Sequence, residues 1–355
     1  MEITINNRLI GLEHPTYFIA DIAANHDGDL ERAKALIHLA AQAGADAAKF
    51  QNFQAEKIVS EYGFSQMDQQ VSHQASWEKS VIEVYRDASI PFDWTPILKE
   101  ECDRAGIDYF SSPYDREAAD MLEPHVPAYK AGSGLITWIE FLLYMAEKPV
   151  PFIMSTGASD LSDVVRAVRA VRAVNDQVVL MQCNTNYTAS PENYSFIHLN
   201  VLDTYAQLFP ETVLGLSDHT QGLAVILGGV AKGARVIERH FTDDKNREGP
   251  DHKFATDPGE WLEMVEETRK LERALGSPDK FVAGNEQETQ IIQRRCLRAA
   301  RKIKKGEQIT RDMIEPLRPA TPGAVMPYDL ENVLGARALH DLPFGKEIRW
   351  TDLGK

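Results

Sequence analysis

Long unbroken apolar runs are missing from this chain. None has the length needed to cross a bilayer, and Met1-Glu2-Ile3-Thr4 does not read as a secretory leader. The expectation is a cytoplasmic protein with no membrane partner. Cysteine is scarce: Cys102, Cys183 and Cys296 are scattered at no disulfide or zinc-site spacing, which excludes a thiolate-rich scaffold and fits a reducing compartment. Positive charge is in deficit, with 38 Lys and Arg against 53 Asp and Glu and a formal net charge of −15. An acidic surface argues against a nucleic-acid partner, and any anionic substrate needs a local cluster of cations and donors. No GxGxxG or Walker pattern occurs, so the nucleotide-binding loops are excluded as models.

What the chain has is alternation. In its 355 residues, 43% of them hydrophobic, short apolar strands recur, each ending in polar residues and most followed by an amphipathic helix. Strands are predicted at 17–23, 45–50, 108–110, 128–130, 151–154, 178–182, 212–216 and 235–238. Helices are predicted at 30–43, with Asp29 as N-cap, and at 162–174 and 261–275. Eight strands in about 220 residues suit a (β/α)₈ TIM barrel; a doubly wound sheet is the rival. Residues 52–92 are too long for a barrel connection and are read as an extended loop over the mouth. The barrel is assigned to 1–280, a linker to 281–293 and a small, Pro-rich β module to 294–355.

In a barrel of this kind the chemistry sits at the C-terminal ends of the strands. Two of those ends carry imidazoles, Ser217-Asp218-His219 and Glu238-Arg239-His240, on consecutive strands. This points to a divalent metal held by His219 and His240, with Asp218 and Glu238 available to orient them or complete the shell; nitrogen and oxygen donors suit Mn²⁺, Mg²⁺ or Zn²⁺. The other reading is a pair of satisfied core histidines. Lys49 and Lys130 end two other strands among Ser112, Ser133, Ser155, Ser217 and the glycines at 132, 134 and 157. Fixed positive charge beside hydroxyl and backbone donors is what a phosphate or carboxylate requires. His26 reads as a turn-stabilising hydrogen bonder, Cys183 as a packed thiol, and Asp251 as either part of a surface turn or an acceptor for sugar hydroxyls.

At these residues the chain resembles the sialic acid synthase family, the N-acetylneuraminate synthase-like enzymes. The matching stretches are Ala24-Asn25-His26-Asp27-Gly28, Ala43-Gly44-Ala45-Asp46, Lys49-Phe50-Gln51, Lys130-Ala131-Gly132-Ser133, Ser155-Thr156-Gly157, Gly215-Leu216-Ser217-Asp218-His219-Thr220, Glu238-Arg239-His240-Phe241-Thr242 and Gly249-Pro250-Asp251-His252. The C-terminal module is similar to the family's antifreeze-like (SAF) domain, with Arg318 in Leu317-Arg318-Pro319 at the place of its active-site arginine. The resemblance implies condensation of phosphoenolpyruvate with an open-chain N-acyl amino hexose of the N-acetylmannosamine type. A nonulosonic acid forms, water enters and phosphate leaves by C–O cleavage.

It further implies Mn²⁺ or Mg²⁺ on His219 and His240, and phosphoenolpyruvate on Lys49, Ser112, Lys130, Ser133, Ser155 and Ser217. Gln51, Tyr187 and Asp251 would face the sugar. Asp21 would be catalytic, and Arg318 would come from the other subunit of a domain-swapped homodimer. Three departures stand out: Asp21 where the family commonly has Glu, Thr188 where it has Pro, and Leu135 where it has an acid. Two other readings remain at this point. One is a different phosphoenolpyruvate–aldose condensing enzyme. The other is a sugar-binding member of a surface-glycan pathway without turnover, suggested by Leu135.

Overall fold

The architecture is taken from a computed structural model that describes residues 1–67, 74, 77 and 79–354. The chain divides into two compact units, Met1–Gly276 and Ser277–Lys355.

The first unit begins with a hairpin absent from the sequence reading: β1 (Glu2–Ile5) pairs antiparallel with β2 (Arg8–Gly11). Its turn residues Asn6 and Asn7 have φ of 44° and 64°. Asn tolerates this left-handed region, and positive φ at both central residues suits a tight hairpin whose twist matches its strands.

Eight parallel strands follow. They are β3 (Tyr17–Asp21), β4 (Ala47–Asn52), β5 (Asp108–Pro113), β6 (Tyr129–Ala131), β7 (Phe152–Ser155), β8 (Val178–Cys183), β9 (Val213–Asp218) and β10 (Val236–His240). Their order is β5-β4-β3-β10-β9-β8-β7-β6, with β5 packed beside β6 to complete the ring. All eight expected strands are present, most shifted toward their C-terminal ends. The polar residues that close each apolar run are still in the ladder, because backbone pairing does not depend on side-chain polarity.

Side chains alternate across a strand, so positions two apart share a face. Outward residues such as Phe18, Phe50, Tyr129, Leu180, Leu216 and Ile237 are buried against the helices. The inward residues at the N-terminal end, among them Tyr17, Ile19, Ala47, Phe110, Ile153, Val179, Met181 and Val236, form a separate apolar cluster. The hairpin's Ile3, Ile5 and Ile10 join that cluster and plug this end of the barrel.

Helix α1 (Leu30–Gln42) starts where expected, with the Asp29 carboxylate accepting from the Glu31 and Arg32 backbone N–H groups. Residues 52–92 are not a bare loop. They hold α2 (Ala55–Ile58), α3 (Glu61–Ser65) and α4 (Val81–Ala88), which bury Ala55, Val59, Val81 and Ile82 together. The part of this stretch at 68–73, 75, 76 and 78 lies outside the described residues. The remaining barrel helices include Leu161–Arg172 and Pro258–Leu275, close to their expected positions. None of the described helices is long and apolar enough to cross a membrane.

The second unit has its own core, including Leu297, Ile303, Ile309, Val325, Val333, Leu342 and Ile348. Its strands are short: Cys296–Ala299 pairs with Ile314–Leu317, and Arg337–Ala338 with Leu353–Gly354. The first of these strands stops at Ala299, just before the exposed Arg301 and Lys302. The segment read as linker contains a helix, Gln287–Gln293. Arg318 is exposed in this unit.

Candidate active site

The inward positions that are apolar at the plugged end become polar at the other. On β3 the series Tyr17, Ile19, Asp21 ends in a carboxylate. On β4 it runs Ala47, Lys49, Gln51, and on β10 Val236, Glu238, His240. Phe110 gives way to Ser112, Ala128 to Lys130, Ile153 to Ser155, Met181 to Cys183, and Val213 to Ser217 and His219. All these polar residues line one cavity of about 510 Å³. Of the residues singled out from the sequence, it gathers Asp21, Lys49, Gln51, Ser112, Lys130, Ser133, Ser155, Tyr187, Ser217, His219 and His240. Asp251 lines an adjoining chamber. Arg318 belongs to the other unit.

The floor is a buried charge cluster. Strand register sets Asp21 beside Lys49 and Ser217 beside Glu238. Lys49 Nζ lies 2.6 Å from Asp21 Oδ2 and 3.3 Å from Glu238 Oε2, while Lys130 Nζ lies 3.4 Å from Glu238 Oε1. Ser217 Oγ donates to Glu238 at 3.1 Å. Burial penalises the Lys49 ammonium, but the charges of Asp21 and Glu238 outweigh it and hold Lys49 above the usual lysine range. Burial lowers Lys130, against the opposing pull of Glu238. The two carboxylates part company: burial pushes Asp21 up to about 6 despite Lys49, whereas Lys130 and Lys49 overcome burial at Glu238 and hold it down at about 2. Two acids separated in this way suit different tasks, one a fixed anion and one a proton carrier.

Donors surround this cluster. Ser112 Oγ is buried without a hydrogen-bond partner. Ser133 Oγ accepts from the Gly157 backbone N–H at 3.0 Å and sits in hydrogen-bond contact with Cys183. A Cβ at Gly157 would come within 2.6 Å of Thr185 Cγ2 and 2.9 Å of Ser133 Oγ, so only glycine permits this close approach.

The two imidazoles stand at the cavity wall with ring centroids 5.4 Å apart. His219 Nδ1 donates to the Asn184 carbonyl at 2.9 Å, a bond that fixes the tautomer and leaves Nε2 with a free lone pair. His240 Nδ1 is buried without a hydrogen-bond partner. Burial lowers both rings, His219 to about 3 with the charge of His240 adding to the effect, so both are neutral near pH 7. Neutral, close and with nitrogen to spare, the pair fits a shared cation. Among the described residues no group of three His, Cys, Asp or Glu side chains forms a ready metal cluster, so water or substrate oxygen would complete the shell.

The carboxylates expected to help the histidines do other work. Asp218 faces the opposite side of the strand, 3.4 Å from Arg239 Nε and bonded to Thr220. Glu238 shares the face of His240 but is committed to the two lysines and Ser217. Glu238 was expected to orient the imidazoles or complete their shell; period-two counting from His240 puts it on the inward face, and its partners there are Lys49, Lys130 and Ser217.

Phe254, Ile58, Tyr85 and Tyr114 were not among the residues singled out from the sequence. Phe254 lies edge-on to His240 at 4.8 Å, and Tyr187 edge-on to His219 at 4.6 Å, giving the imidazoles an aromatic wall. Tyr114, Ile58 and Tyr85 complete the mouth; the last two come from the α2 and α4 segment, where no periodic pattern marks them. His252 is a buried clasp, its ring nitrogens 2.8 Å from Thr242 Oγ1 and 2.8 Å from Asp27 Oδ1. It fixes the loop carrying Asp251, whose Oδ2 accepts from Ala24 N at 3.2 Å and lies 3.9 Å from His240 Nδ1. His26 Nδ1 accepts from Gly28 N at 3.0 Å, holding a turn. Cys183 lines the cavity, and burial raises its thiol to about 11, away from nucleophilic use.

Comparison with known proteins fits this geometry. Residues 36–280 match the model of the NeuB family, and residues 294–354 match the SAF domain. The chain is 34% identical over 343 residues to N,N'-diacetyllegionaminic acid synthase of Legionella pneumophila, covering 95% of this chain and 94% of that one. It is 33% identical over 333 residues to human N-acetylneuraminate-9-phosphate synthase, covering 94% of this chain and 91% of that one. Among solved structures, a spore coat polysaccharide biosynthesis protein of Bacillus subtilis superposes with a TM-score of 0.66 at 34% identity, covering 100% of this chain and 99% of that one.

Proposed function

Because the chain belongs to the NeuB family and ends in a SAF domain, we propose that it condenses phosphoenolpyruvate with an open-chain N-acyl amino hexose and water, giving a nonulosonic acid and phosphate. One observation supports this most: a neutral imidazole pair and a buried two-lysine, two-carboxylate floor share a single cavity.

In this reading Lys49 and Lys130 bind the phosphoenolpyruvate anion, Ser112, Ser133 and Ser155 donate to its oxygens, and Ser217 serves that site once its proton turns from Glu238 to the bound anion. Glu238 stays ionised and holds both ammonium groups in place. The enol carbon bonds to the aldehyde carbon, water adds at the former enol C2, and the C2–O bond to phosphate breaks. His219 and His240 would hold Mn²⁺ or Mg²⁺, which when bound supplies Lewis-acid polarisation of the aldehyde oxygen. Asp21, whose carboxyl titrates near neutrality, receives and returns protons beside Lys49. Gln51, Tyr187 and Asp251 orient the sugar. Placing both substrates in one cavity makes carbon–carbon bond formation effectively unimolecular. Leu135 lines the same cavity and carries no proton, so this exchange falls to Asp21.

The test is phosphate release from phosphoenolpyruvate with Mn²⁺ and a series of N-acyl hexosamines. Release that requires the sugar and is lost on chelation is expected. Its absence with every sugar would refute the proposal. We also place the protein in the cytoplasm as a domain-swapped homodimer in which Arg318 of a second copy completes the sugar site. Arg318→Ala should then raise the KM for the sugar about tenfold with little change for phosphoenolpyruvate; unchanged constants would remove the arginine from the site.

A further inference from the structure

Resting on the condensation reading above, we propose that Asp218 and Arg239 are positioning residues: their buried ion pair, on the far face of the strands from the cavity, sets the spacing of the His219 and His240 imidazoles and with it the affinity for a divalent cation. Among the described residues, the strand positions that face the barrel helices carry no formal charge except at these two. Each stands one residue before a histidine of the pair, and the two are opposite each other in the β9–β10 register.

Stability does not account for charge at this one place. Asp218 Oδ2 lies 3.4 Å from Arg239 Nε, and the two side chains are 0% and 4% exposed. Desolvating such a pair costs about as much as its attraction returns, so a pair of apolar side chains would hold the fold as well. What an ion pair adds is a fixed arrangement of the chain around it.

The arrangement holds a strand end that the ladder does not hold. Backbone pairing of β9 with β10 ends at Asp218 and Arg239, and His219 lies beyond the strand. Asp218 Oδ1 accepts from the Thr220 backbone N–H at 3.1 Å and from the Thr220 hydroxyl at 2.9 Å. His219 is therefore enclosed in a turn whose two flanking residues are bonded to each other. Arg239 Nη1 donates to the Gly222 carbonyl at 3.1 Å, which ties the far side of that turn to β10 next to His240. The Asn184 carbonyl orients the His219 ring, and this brace fixes the backbone from which the ring projects. Metal–nitrogen distances tolerate only about 0.2 Å, so two rings that share an ion depend on the spacing of their backbones.

The experiment titrates the full-length, metal-free protein with Mn²⁺ in the absence of substrate and follows the electron paramagnetic resonance signal of the free ion. The parent should bind Mn²⁺, and His240→Ala should not. Asp218→Asn keeps the side-chain shape and removes its charge; it should raise the Kd about tenfold. With Mn²⁺ saturating, its KM for phosphoenolpyruvate should stay close to the parent value, because Lys49 and Lys130 stand on other strands. Thr220→Val keeps both charges and should raise the Kd by a smaller factor; it decides the matter if Asp218→Asn does not fold. Ile237→Ala, buried on the same outward face two residues before Arg239, weakens the fold without touching the brace and should leave the Kd unchanged. Parent-like Kd values in Asp218→Asn and Thr220→Val, or equal weakening in Ile237→Ala, overturn the brace and leave the condensation reading standing. A parent that binds no Mn²⁺, or binds it as well without His240, removes the metal pair and the brace together.

Discussion

The two halves of the barrel lumen are built from the same inward-facing strand positions and have opposite characters. Toward the N-terminal ends, Tyr17, Ile19, Phe110, Ile153, Val179 and Val236 pack with the hairpin's isoleucines into a dry plug. One or two inward positions further along the same strands, Asp21, Lys49, Lys130 and Glu238 are equally removed from water but form a charge cluster beside two neutral imidazoles. The plug stabilises the fold by removing apolar area from water, on the order of 25 cal/mol per Å². The charged half has no such gain, because desolvating four ionisable groups costs as much as or more than their mutual attraction returns. Burial alone therefore does not separate structure from function; the sign of its energetic consequence does. An arrangement that costs stability and still leaves an unpartnered serine hydroxyl and imidazole nitrogen is organised for ligands.

The sharpest way to break this comparison is Lys49→Met. It leaves Asp21 and Glu238 with Lys130 as the one remaining lysine and the neutral His240 ring 3.7 Å from Asp21. Removing one partner of a buried pair costs about 3–5 kcal/mol, measured as a fall in the thermal or denaturant midpoint, and condensation should be lost. Lys49→Met combined with Asp21→Asn should regain much of the stability and none of the activity. If the single variant is as stable as the parent, the floor is not the coupled cluster described. The complementary change is Ile5→Ala in the hairpin. Deleting a fully buried branched side chain costs about 2–5 kcal/mol, while kcat and both KM values should stay within twofold at temperatures where the variant is folded. A large loss of turnover there would show that the plug and the site are coupled.

The sequence made most of this legible because the barrel's logic is periodic. Each strand is a short apolar run with a polar end, and the polar ends must converge when parallel strands close. Lys49, Lys130, His219 and His240 were therefore found without any contact information. The hairpin was missed although Ile3 and Ile5 alternate with polar residues ahead of Asn6-Asn7, a pair suited to positive φ; each strand is only four residues long. Helix α2 is also only four residues, too short to show a period. Of the chamber beside His240, the long segment over the mouth and Gln51, Tyr187 and Asp251 were read, but not their meeting with Ile58, Tyr85 and Tyr114. Ile58, Tyr85, Tyr114 and Asp251 come from separate connections, and nothing local in any of them encodes their meeting.

The smallest expected effect concerns protons. His26 in the turn after β3, together with His219 and His240, is buried and held below the usual histidine range, His26 at about 4 and His219 at about 3. In the unfolded chain each ring takes a proton near pH 6.5. Between that value and the lower native one, the unfolded state binds protons that the native state refuses, so stability falls as pH drops below about 6.5. Each histidine contributes about 1.4 kcal/mol per pH unit in that window and nothing above it. Asp21 works in the other direction. Its native value of about 6 lies above the unfolded carboxylate, so its contribution is lost as pH rises and cancels roughly one histidine between pH 4 and 6. Glu238, held at about 2, enters only below about pH 4. The metal-free protein should therefore lose stability steadily from pH 6.5 toward 4.5 in denaturant titrations. His26→Asn, which keeps an acceptor for Gly28 N but cannot titrate, should remove about one histidine's share of that slope. Ile5→Ala should lower the whole curve without changing its slope, since His26, His219 and His240 all lie beyond the plugged half. A slope untouched by His26→Asn would mean that the ring is protonated in the folded protein, and that burial at this end of the barrel is less complete than the geometry indicates.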